Sequence, residues 1–207
     1  MHVQPLTPAG VVDHLVRLVT ARGDDRVRVL VDGHPSTHPE ALADALVDPL
    51  RAVGRAVARV SASDFLRPAS VRFEHGRTDQ TALEDQVDLR ALAREVLDPW
   101  GPGGTGRYLP TLWDPRTDRA TRAPYRSVPD RGVLVLDGSL LLGRWLELDL
   151  TVHLSLRPDT LDRRTAPADA WTLDVYRRYV ESVVPEQTAD VVVRVDDARR
   201  PALVDRP

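Results

Sequence analysis

The chain has 207 residues, of which 42% are hydrophobic, and a formal net charge of −3 at pH 7. A chain of this size and apolar content can bury a substantial core within one domain. The small net charge gives no indication of a nucleic-acid or membrane partner. Cysteine is absent, which excludes disulfides, thiolate metal ligands and thiol nucleophiles. All 28 basic residues are arginines, so Schiff-base chemistry is excluded too.

The N-terminal part of the chain predicts a helix within residues 1–25. Thr7 and Pro8 are typical of a helix start, and Gly23 is typical of the position just past a helix end. The first ten residues lack the basic-then-apolar pattern of a signal peptide, and no apolar run approaches the length of a membrane span. We therefore expect a cytoplasmic protein.

The rest of the chain alternates predicted strands and helices. Residues 26–32 form a near-continuous apolar run, which is typical of a strand buried on both faces of a parallel sheet, and a helix follows from Pro39 to about Leu50. Further strands are predicted over residues 55–61, 132–136, 148–156 (half-exposed) and 189–195, with helices over 81–97 and 168–183 and a short segment at 159–164. Residues 98–130 are predicted to form an irregular insert. This order predicts a three-layer α/β fold with a central five-stranded parallel sheet, in one domain spanning 1–207.

The segment after the first buried strand has the geometry of a phosphate-binding loop, namely a strand, a glycine, a short loop and a helix. The motif for that role is G-x-x-x-x-G-K-[ST], and it maps onto residues 33–40. Only Gly33 is retained. His38 replaces the second glycine, Pro39 replaces the phosphate-binding lysine, and Glu40 replaces the hydroxyl that would hold Mg²⁺.

Two other interpretations of this loop need no phosphate. Thr37 and Glu40 have the spacing of a capping box, in which side chains satisfy the first N–H groups of the helix, and we favour this over anion binding. His34 and His38 near Glu40 have spacing that a metal site could use. The prolines between and beside them favour ordinary exposed loop histidines instead.

Small or acidic residues follow the predicted strands, at the end of the sheet where such folds bind ligands. They are the loop after Gly33, Ser63 and Asp64 after the second strand, and Asp137 and Gly138 after the third. Asp137 could hold Mg²⁺ through water or could cap a helix, and the sequence does not separate these roles. No G-x-S-x-G nucleophile elbow is present, so a serine hydrolase is not indicated.

Several motifs together resemble the uridine kinase-like family of P-loop kinases, from Val27 to about Val195. They are Asp32-Gly33 followed by LADAL (42–46), SASDFLR (61–67), VDLRAL (87–92), LDPWGPGGTGRY (97–108) with LWDPRTDRA (112–120), VLDG (135–138), YRRYV (176–180) and VVPEQTADVVV (183–193). The loop run and the C-terminal pattern are specific in combination.

The resemblance implies ATP-dependent phosphorylation of a nucleoside or another small hydroxyl compound. The nucleotide side would comprise Gly33, Ser36, Thr37, Arg163 and Arg164, although for the arginine pair we favour a solvated face. The acceptor side would comprise Arg67, Asp88 and Trp113, and Trp113 and Tyr108 would either stack a base or cover the core. The family's general base falls on Ser63, so the nearest catalytic candidate is Asp64, with Asp137 as the metal ligand.

Two classes of function follow. This chain replaces four features of the motif: the glycine that allows close backbone approach, the phosphate-binding lysine, the hydroxyl that holds Mg²⁺ and the general base. Phosphoryl transfer depends on positioning and charge stabilisation by such groups. One hypothesis is a pseudokinase that binds a nucleoside-like ligand or a partner, with binding of ATP and Mg²⁺ weak or lost. The other is an active kinase with a site rebuilt around Asp64, Asp88 and Asp137. Expected partners are a small nucleoside-like molecule and either a second copy of the chain or another protein.

Overall fold

The computed structural model describes residues 2–23 and 25–205; Met1, Asp24, Arg206 and Pro207 of the predicted domain lie outside this part. Its helices and strands are, in chain order, β1 (His2–Pro5), α1 (Pro8–Thr20), β2 (Val27–Gly33), α2 (Pro39–Ala45), α3 (Val47–Ala52), β3 (Val57–Ser61), α4 (Ala69–Arg72), α5 (Gln80–Glu84), α6 (Leu89–Leu92), α7 (Asp98–Trp100), β4 (Arg107–Tyr108), β5 (Trp113–Asp114), β6 (Arg119–Ala120), β7 (Arg126–Ser127), β8 (Val133–Gly138), β9 (Leu150–Ser155), α8 (Pro158–Arg164), α9 (Leu173–Val183), α10 (Pro185–Thr188), β10 (Val191–Arg194) and β11 (Ala202–Asp205). Tight 3₁₀ turns cover Pro35–Thr37, Ala62–Phe65 and Pro167–Thr172, and a π-helical turn covers Ala93–Leu97.

The central sheet has seven strands in the order β1-β11-β10-β9-β2-β8-β3. The five strands from β10 to β3 pair in parallel, as predicted from the alternation of strands and helices. The other two, β1 and β11, pair antiparallel with each other, and β11 joins the sheet alongside β10. These two antiparallel strands were not predicted. Within the described residues, no helix combines the length and the apolar composition needed to cross a membrane.

Helices cover both faces of the sheet, and the alternation of β2 shows how the layers form. Val27, Val29 and Val31 point to the side where α1, α2 and α3 pack. Leu30 points to the opposite side, where it joins the core around Trp100. Asp32 lies two residues after Leu30 and therefore on the same face, which later places its carboxylate beside α9.

Three sequence predictions differ in detail. The helix predicted over 81–97 is interrupted, because Val87 forms a β-bridge with Leu66 and Asp88 then caps the separate helix α6. Strand β9 is not half-exposed, since five of its six residues are buried. The helix predicted over 168–183 begins as a 3₁₀ turn before α9.

The insert predicted over 98–130 contains more regular structure than expected. It includes α7 and two short antiparallel ladders, β4 with β7 and β5 with β6. Its buried anchor is Trp100, whose ring contacts Tyr108 edge-on with centroids 5.5 Å apart. Tyr108 is itself buried, so the structure assigns it to the core rather than to base stacking.

Candidate functional site

The segments that follow β2, β3 and β8 meet at the carboxyl end of the sheet, as expected for this architecture. Gly33 ends β2 at a point where the backbone is closely approached. A Cβ atom there would lie 2.5 Å from Thr37 Oγ1 and 3.0 Å from Leu154 Cβ, which is too close for a side chain. The retained glycine therefore keeps the strand-to-loop turn compact.

In the loop after Gly33, backbone N–H groups donate to acceptors within the loop itself. Ser36 N–H donates to His34 Nδ1 at 3.1 Å, Thr37 N–H to the His34 carbonyl at 2.8 Å, and His38 N–H to the Pro35 carbonyl at 3.0 Å. Pro35 and Pro39 have no N–H to offer. A phosphate cradle needs consecutive N–H groups that point at the anion. These residues therefore do not fit a bound triphosphate.

The capping box predicted for Thr37 and Glu40 is wrong. Thr37 lies in the 3₁₀ turn, where its hydroxyl donates to the His34 carbonyl at 2.7 Å. The N-cap of α2 is instead His38, which has left-handed backbone angles (φ 56°, ψ 59°) and makes no side-chain cap bond. Glu40 turns outward to His38, with Oε1 and Nδ1 3.0 Å apart. The tight turn displaces Thr37 by one residue from the position a cap requires.

Asp137, the acidic residue near the end of β8, is paired with an arginine from the neighbouring strand β3. Asp137 is buried, and its Oδ1 lies 2.6 Å from Arg59 Nη1 while its Oδ2 accepts from Ser61 Oγ at 3.2 Å. Arg59 Nε is held by Asp44 of α2 at 2.8 Å. Sequence reasoning missed Arg59, because nothing in its local pattern shows that strand pairing sets it beside Asp137.

This ion pair bears on the predicted metal site. A guanidinium already neutralises Asp137, and no cluster of three or more metal-binding side chains occurs within residues 2–23 and 25–205. The carboxylate predicted to hold Mg²⁺ is thus already paired, and the role of Asp137 as a metal ligand stays a prediction. Burial raises the pKa of Asp137 above its usual value, although Arg59 opposes that shift.

Asp64 lies half-buried in the 3₁₀ turn after β3. Burial raises the pKa of its carboxyl, and the negative charge of Asp137 adds to the shift. Ser63, at the family's base position, is exposed, and its Oγ lies 2.9 Å from Ser61 Oγ. Asp64 is the next carboxylate in sequence, one residue further along the turn, and Ser61 Oγ links Ser63 to Asp137 as well.

Comparisons with known proteins identify the architecture. No family model matches this chain, and no curated protein matches it. Among solved structures, a possible uridine kinase from Bacillus stearothermophilus has a TM-score of 0.71 at 19% identity, covering 87% of this chain and 96% of that chain. A proposed fructose transport system kinase from a Silicibacter species has a TM-score of 0.59 at 20% identity, covering 89% of this chain and 90% of that chain.

The fold is that of the P-loop kinases. The resemblance found in the motifs is thereby confirmed at the level of architecture, with two antiparallel strands added to the five parallel ones. Matches at this level of identity establish the fold alone. The nucleotide side after β2 and the acceptor side after β3 stay predictions from the motif resemblance.

The predicted nucleotide-side residues converge only in part. Ser36, Thr37 and Arg164 line one cavity of about 770 Å³, which we call the loop-side cavity and which extends to Val195. Arg164 Nη2 donates to the Asp196 carbonyl at 2.9 Å. Arg163 is exposed and contacts Thr160 Oγ1 at 3.3 Å, which suits a solvated surface.

The predicted acceptor-side residues lie in segments that pair with one another. Arg67 N–H donates to the Gln86 carbonyl at 2.8 Å and Asp88 N–H to the Phe65 carbonyl at 2.8 Å. The Asp88 carboxylate caps α6 by accepting from Ala91 N–H at 2.9 Å. Helix capping therefore explains the carboxylate of Asp88, and its substrate-binding role stays a prediction.

Trp113, the third predicted acceptor-side residue, donates its indole N–H to Asp118 Oδ1 at 3.0 Å. Asp118 in turn accepts from Ala69 N–H at 2.8 Å and so ties the β5–β6 ladder to α4. A smaller cavity of about 310 Å³, the acceptor-side cavity, lies between Pro39, Glu40, Ser63 and Asp137. It contains no basic side chain among its lining residues.

A buried polar cluster at the end of β2 was missed by sequence reasoning. Asp32 is fully buried; its Oδ2 lies 2.9 Å from His153 Nδ1 and accepts from the Tyr179 hydroxyl at 3.1 Å. Its Oδ1 accepts from Leu141 N–H at 2.9 Å. Burial raises the pKa of Tyr179, and the charge of Asp32 adds to the shift, so the hydroxyl stays protonated and donates. The only signal in the sequence was an acid ending an apolar strand.

His34 provides a pH-dependent element of the loop. Its ring packs edge-on against Tyr176 with centroids 4.3 Å apart, and burial lowers its pKa to about 4. An imidazole that binds its proton less readily in the folded state stabilises the fold above its unfolded pKa of about 6.5. That stabilisation is lost as the pH falls from about 6.5 towards about 4, because the unfolded chain takes up the proton first.

We therefore expect acid to destabilise the wild type more than His34→Asn, in which the amide oxygen can still accept from Ser36 N–H. The difference in unfolding free energy between pH 7 and pH 4.5 should be about 1–2 kcal/mol larger for the wild type, after allowance for partial exposure. Urea unfolding at both pH values measures it. Parallel pH dependence in the two proteins would contradict the expectation.

Proposed function

We propose that this P-loop kinase-fold protein binds a nucleoside-like ligand and has lost, or nearly lost, ATP-dependent phosphoryl transfer. The supporting observation is that Ser36, Thr37 and His38 donate their N–H groups to acceptors within the loop. In the same loop, Pro39 replaces the phosphate-binding lysine and Glu40 replaces the metal-binding hydroxyl. Phosphoryl transfer relies on such groups for nearly all of its catalysis, so their joint loss is severe.

The charges of the acceptor-side cavity support a ligand without phosphates. Glu40 and Asp137 line it, and the charge of Asp137 is already balanced by Arg59. An anionic ligand would be repelled by Glu40 at this position, since the ion-pair partner of Glu40 among the described residues is a histidine, His38. A nucleoside carries hydroxyl groups and no charge, and Ser61 and Ser63 offer hydrogen-bonding partners at the strand end.

One observation favours a second candidate, an active kinase of a nucleoside or another small hydroxyl compound. The pKa of Asp64 is raised by burial and by Asp137, which moves a carboxyl towards the range useful for a general base. In that case Asp64 would accept the proton of the acceptor hydroxyl.

Calorimetry separates the two candidates. We expect no saturable heat from Mg·ATP titrated to millimolar concentration, and saturable binding of at least one nucleoside from a panel without ATP. ATP consumption measured with the same panel should stay at the level of the buffer. A tight Mg²⁺-dependent ATP site, or turnover abolished by Asp64→Asn, would replace the proposal with the kinase.

A further inference from the structure

A cavity of about 550 Å³ lies on the α9 side of the sheet, behind the loop; we call it the rear cavity. It is bounded by the end of β9, by α8, by α9 and by the turn at Val184 and Pro185. It shares no lining residue with the acceptor-side cavity and only Leu154 with the loop-side cavity. It adjoins the predicted nucleotide side through Gly33 and His34, and ligand binding here would go beyond the function proposed above.

The walls of the rear cavity are mainly apolar. Leu140, Leu156 and Leu161 contribute aliphatic surface, and the rings of His34 and Tyr176 contribute aromatic surface. Its lining includes no arginine, in a chain with 28 of them, and one carboxylate, Glu186, which is paired with Arg194 at 3.5 Å. A site with this composition suits an uncharged, largely apolar molecule.

Two buried polar side chains interrupt this apolar wall: Ser155, whose Oγ has no hydrogen-bond partner among the described residues, and His153. His153 is 7% exposed and its Nδ1 lies 2.9 Å from Asp32 Oδ2. Asp32 orients the ring, and in the neutral imidazole a proton on Nδ1 points at the carboxylate and leaves the lone pair on Nε2. Among residues 2–23 and 25–205, Nε2 has no hydrogen-bond partner, and it is not one of the fully enclosed polar atoms.

The imidazole is held in one orientation, because Asp32 also accepts from Leu141 N–H and from the Tyr179 hydroxyl and is itself fixed. Nε2 is therefore an acceptor held in place and open to a ligand or to water. The mouth of the cavity carries a related feature, since Val180 and Val184 are 54% and 36% exposed. An oriented acceptor inside and apolar side chains at the rim both match a ligand with an apolar body and one donor group.

We propose that the rear cavity binds an uncharged, largely apolar alcohol or phenol whose hydroxyl donates to His153 Nε2. Asp32 is a positioning residue in this site, because it acts on the ligand only through the imidazole. The volume lies within the range of pockets that hold drug-sized molecules.

The test uses β-naphthol as the probe, with its methyl ether and β-naphthoate as matched compounds. Calorimetry at pH 7 should show saturable binding of β-naphthol to the full chain. The methyl ether should bind about tenfold more weakly, because it cannot donate to Nε2, and a factor of ten corresponds to about 1.4 kcal/mol. The naphthoate should bind no better than the ether, because the cavity offers no cation.

Two variants locate the site. His153→Asn keeps an N–H for Asp32 and removes the Nε2 acceptor, so β-naphthol should lose about tenfold in affinity while the ether is unaffected. Val180→Trp covers the mouth from an exposed position, so folding is not at risk and binding of both compounds should be lost. Val71→Trp, at a similarly exposed valine in α4, is the control and should bind as the wild type.

Three results would overturn the proposal. The first is no saturable β-naphthol binding to the wild type. The second is equal affinity for naphthol and its ether, which would remove the role of His153. The third is unchanged binding in Val180→Trp, which would place the probe elsewhere. Because Val180→Trp does not touch the buried cluster, the test stands even if His153→Asn does not fold.

Discussion

Replacing Asp32 with alanine is expected to destabilise the protein by about 3–5 kcal/mol, the cost of removing one partner from a buried charged network. Its carboxylate is wholly enclosed and accepts from the Tyr179 hydroxyl and from Leu141 N–H, with His153 Nδ1 at 2.9 Å. Alanine would leave all three groups without their acceptor in a buried environment. It would also open space between β2 and α9.

Urea unfolding at pH 7 measures this effect. Asp48→Ala is the matched control, because Asp48 is 91% exposed and its partner Arg51 lies 3.3 Å away on the same helix surface. We expect that change to stay within about 0.5 kcal/mol. Asp32→Asn should fall between the two, since the amide keeps one acceptor oxygen and presents N–H groups to donors. A loss below about 1 kcal/mol for Asp32→Ala would show that the network is not structural.

The parallel core of the fold was predictable because its signal is local. All seven residues of β2 are buried, and the sequence shows this as a run of apolar residues that ends in Gly33. The antiparallel strands β1 and β11 gave no comparable signal. Each has four residues, and their pairing with each other joins the two ends of the described chain. Nothing within either short segment specifies that partner.

The interruption between α5 and α6 shows how tertiary contacts override periodicity. Residues 81–97 carry apolar side chains at helical spacing, yet Val87 is taken up by its bridge to Leu66. Two backbone hydrogen bonds, from Arg67 N–H and Asp88 N–H, secure that bridge. The chain therefore leaves the helix where the segment after β3 offers a strand partner.

The sequence predicted which residues make up the candidate site, but it did not predict which of them contact one another. The sequence showed which residues had replaced the phosphate-binding motif, but not that Ser36, Thr37 and His38 would turn their N–H groups inward. The clusters around Asp137 and Asp32 depend on partners brought close by strand pairing. Asp32 and His153 are 121 positions apart in the chain. Only the parallel register of β2 with β9 sets them side by side.

The loop retains the length of a phosphate-binding loop, which allows its chemistry to be rebuilt. We expect His38→Gly, Pro39→Lys and Glu40→Thr together to give a folded protein with measurable Mg·ATP binding. His38 has φ 56°, a conformation that glycine adopts without strain. Lysine at 39 restores both a positive charge and an N–H, and loss of Glu40 removes a repulsive carboxylate.

His34 should limit ATP binding by the triple variant. Its Nδ1 accepts from Ser36 N–H, and none of the three changes removes it, so that one donor is not available to the phosphates. Adding His34→Ala should free that donor and tighten Mg·ATP by about tenfold, the value of one hydrogen bond to a charged acceptor. Turnover of a nucleoside should remain poor until Ser63→Asp supplies a base.

Calorimetry with Mg·ATP and an ATP-consumption assay on the wild type and each successive variant test this series. Glu40→Thr alone is the control, because it removes the repulsion without restoring the lysine or the N–H, and it should not bind. If the variant with all four loop changes folds and still shows no Mg·ATP binding, the inward-turned hydrogen bonds of residues 34–38 persist without His34. The loop would then have lost the phosphate-binding conformation as well as its residues, since the turn holds Thr37 and His38 N–H through backbone carbonyls that no substitution removes.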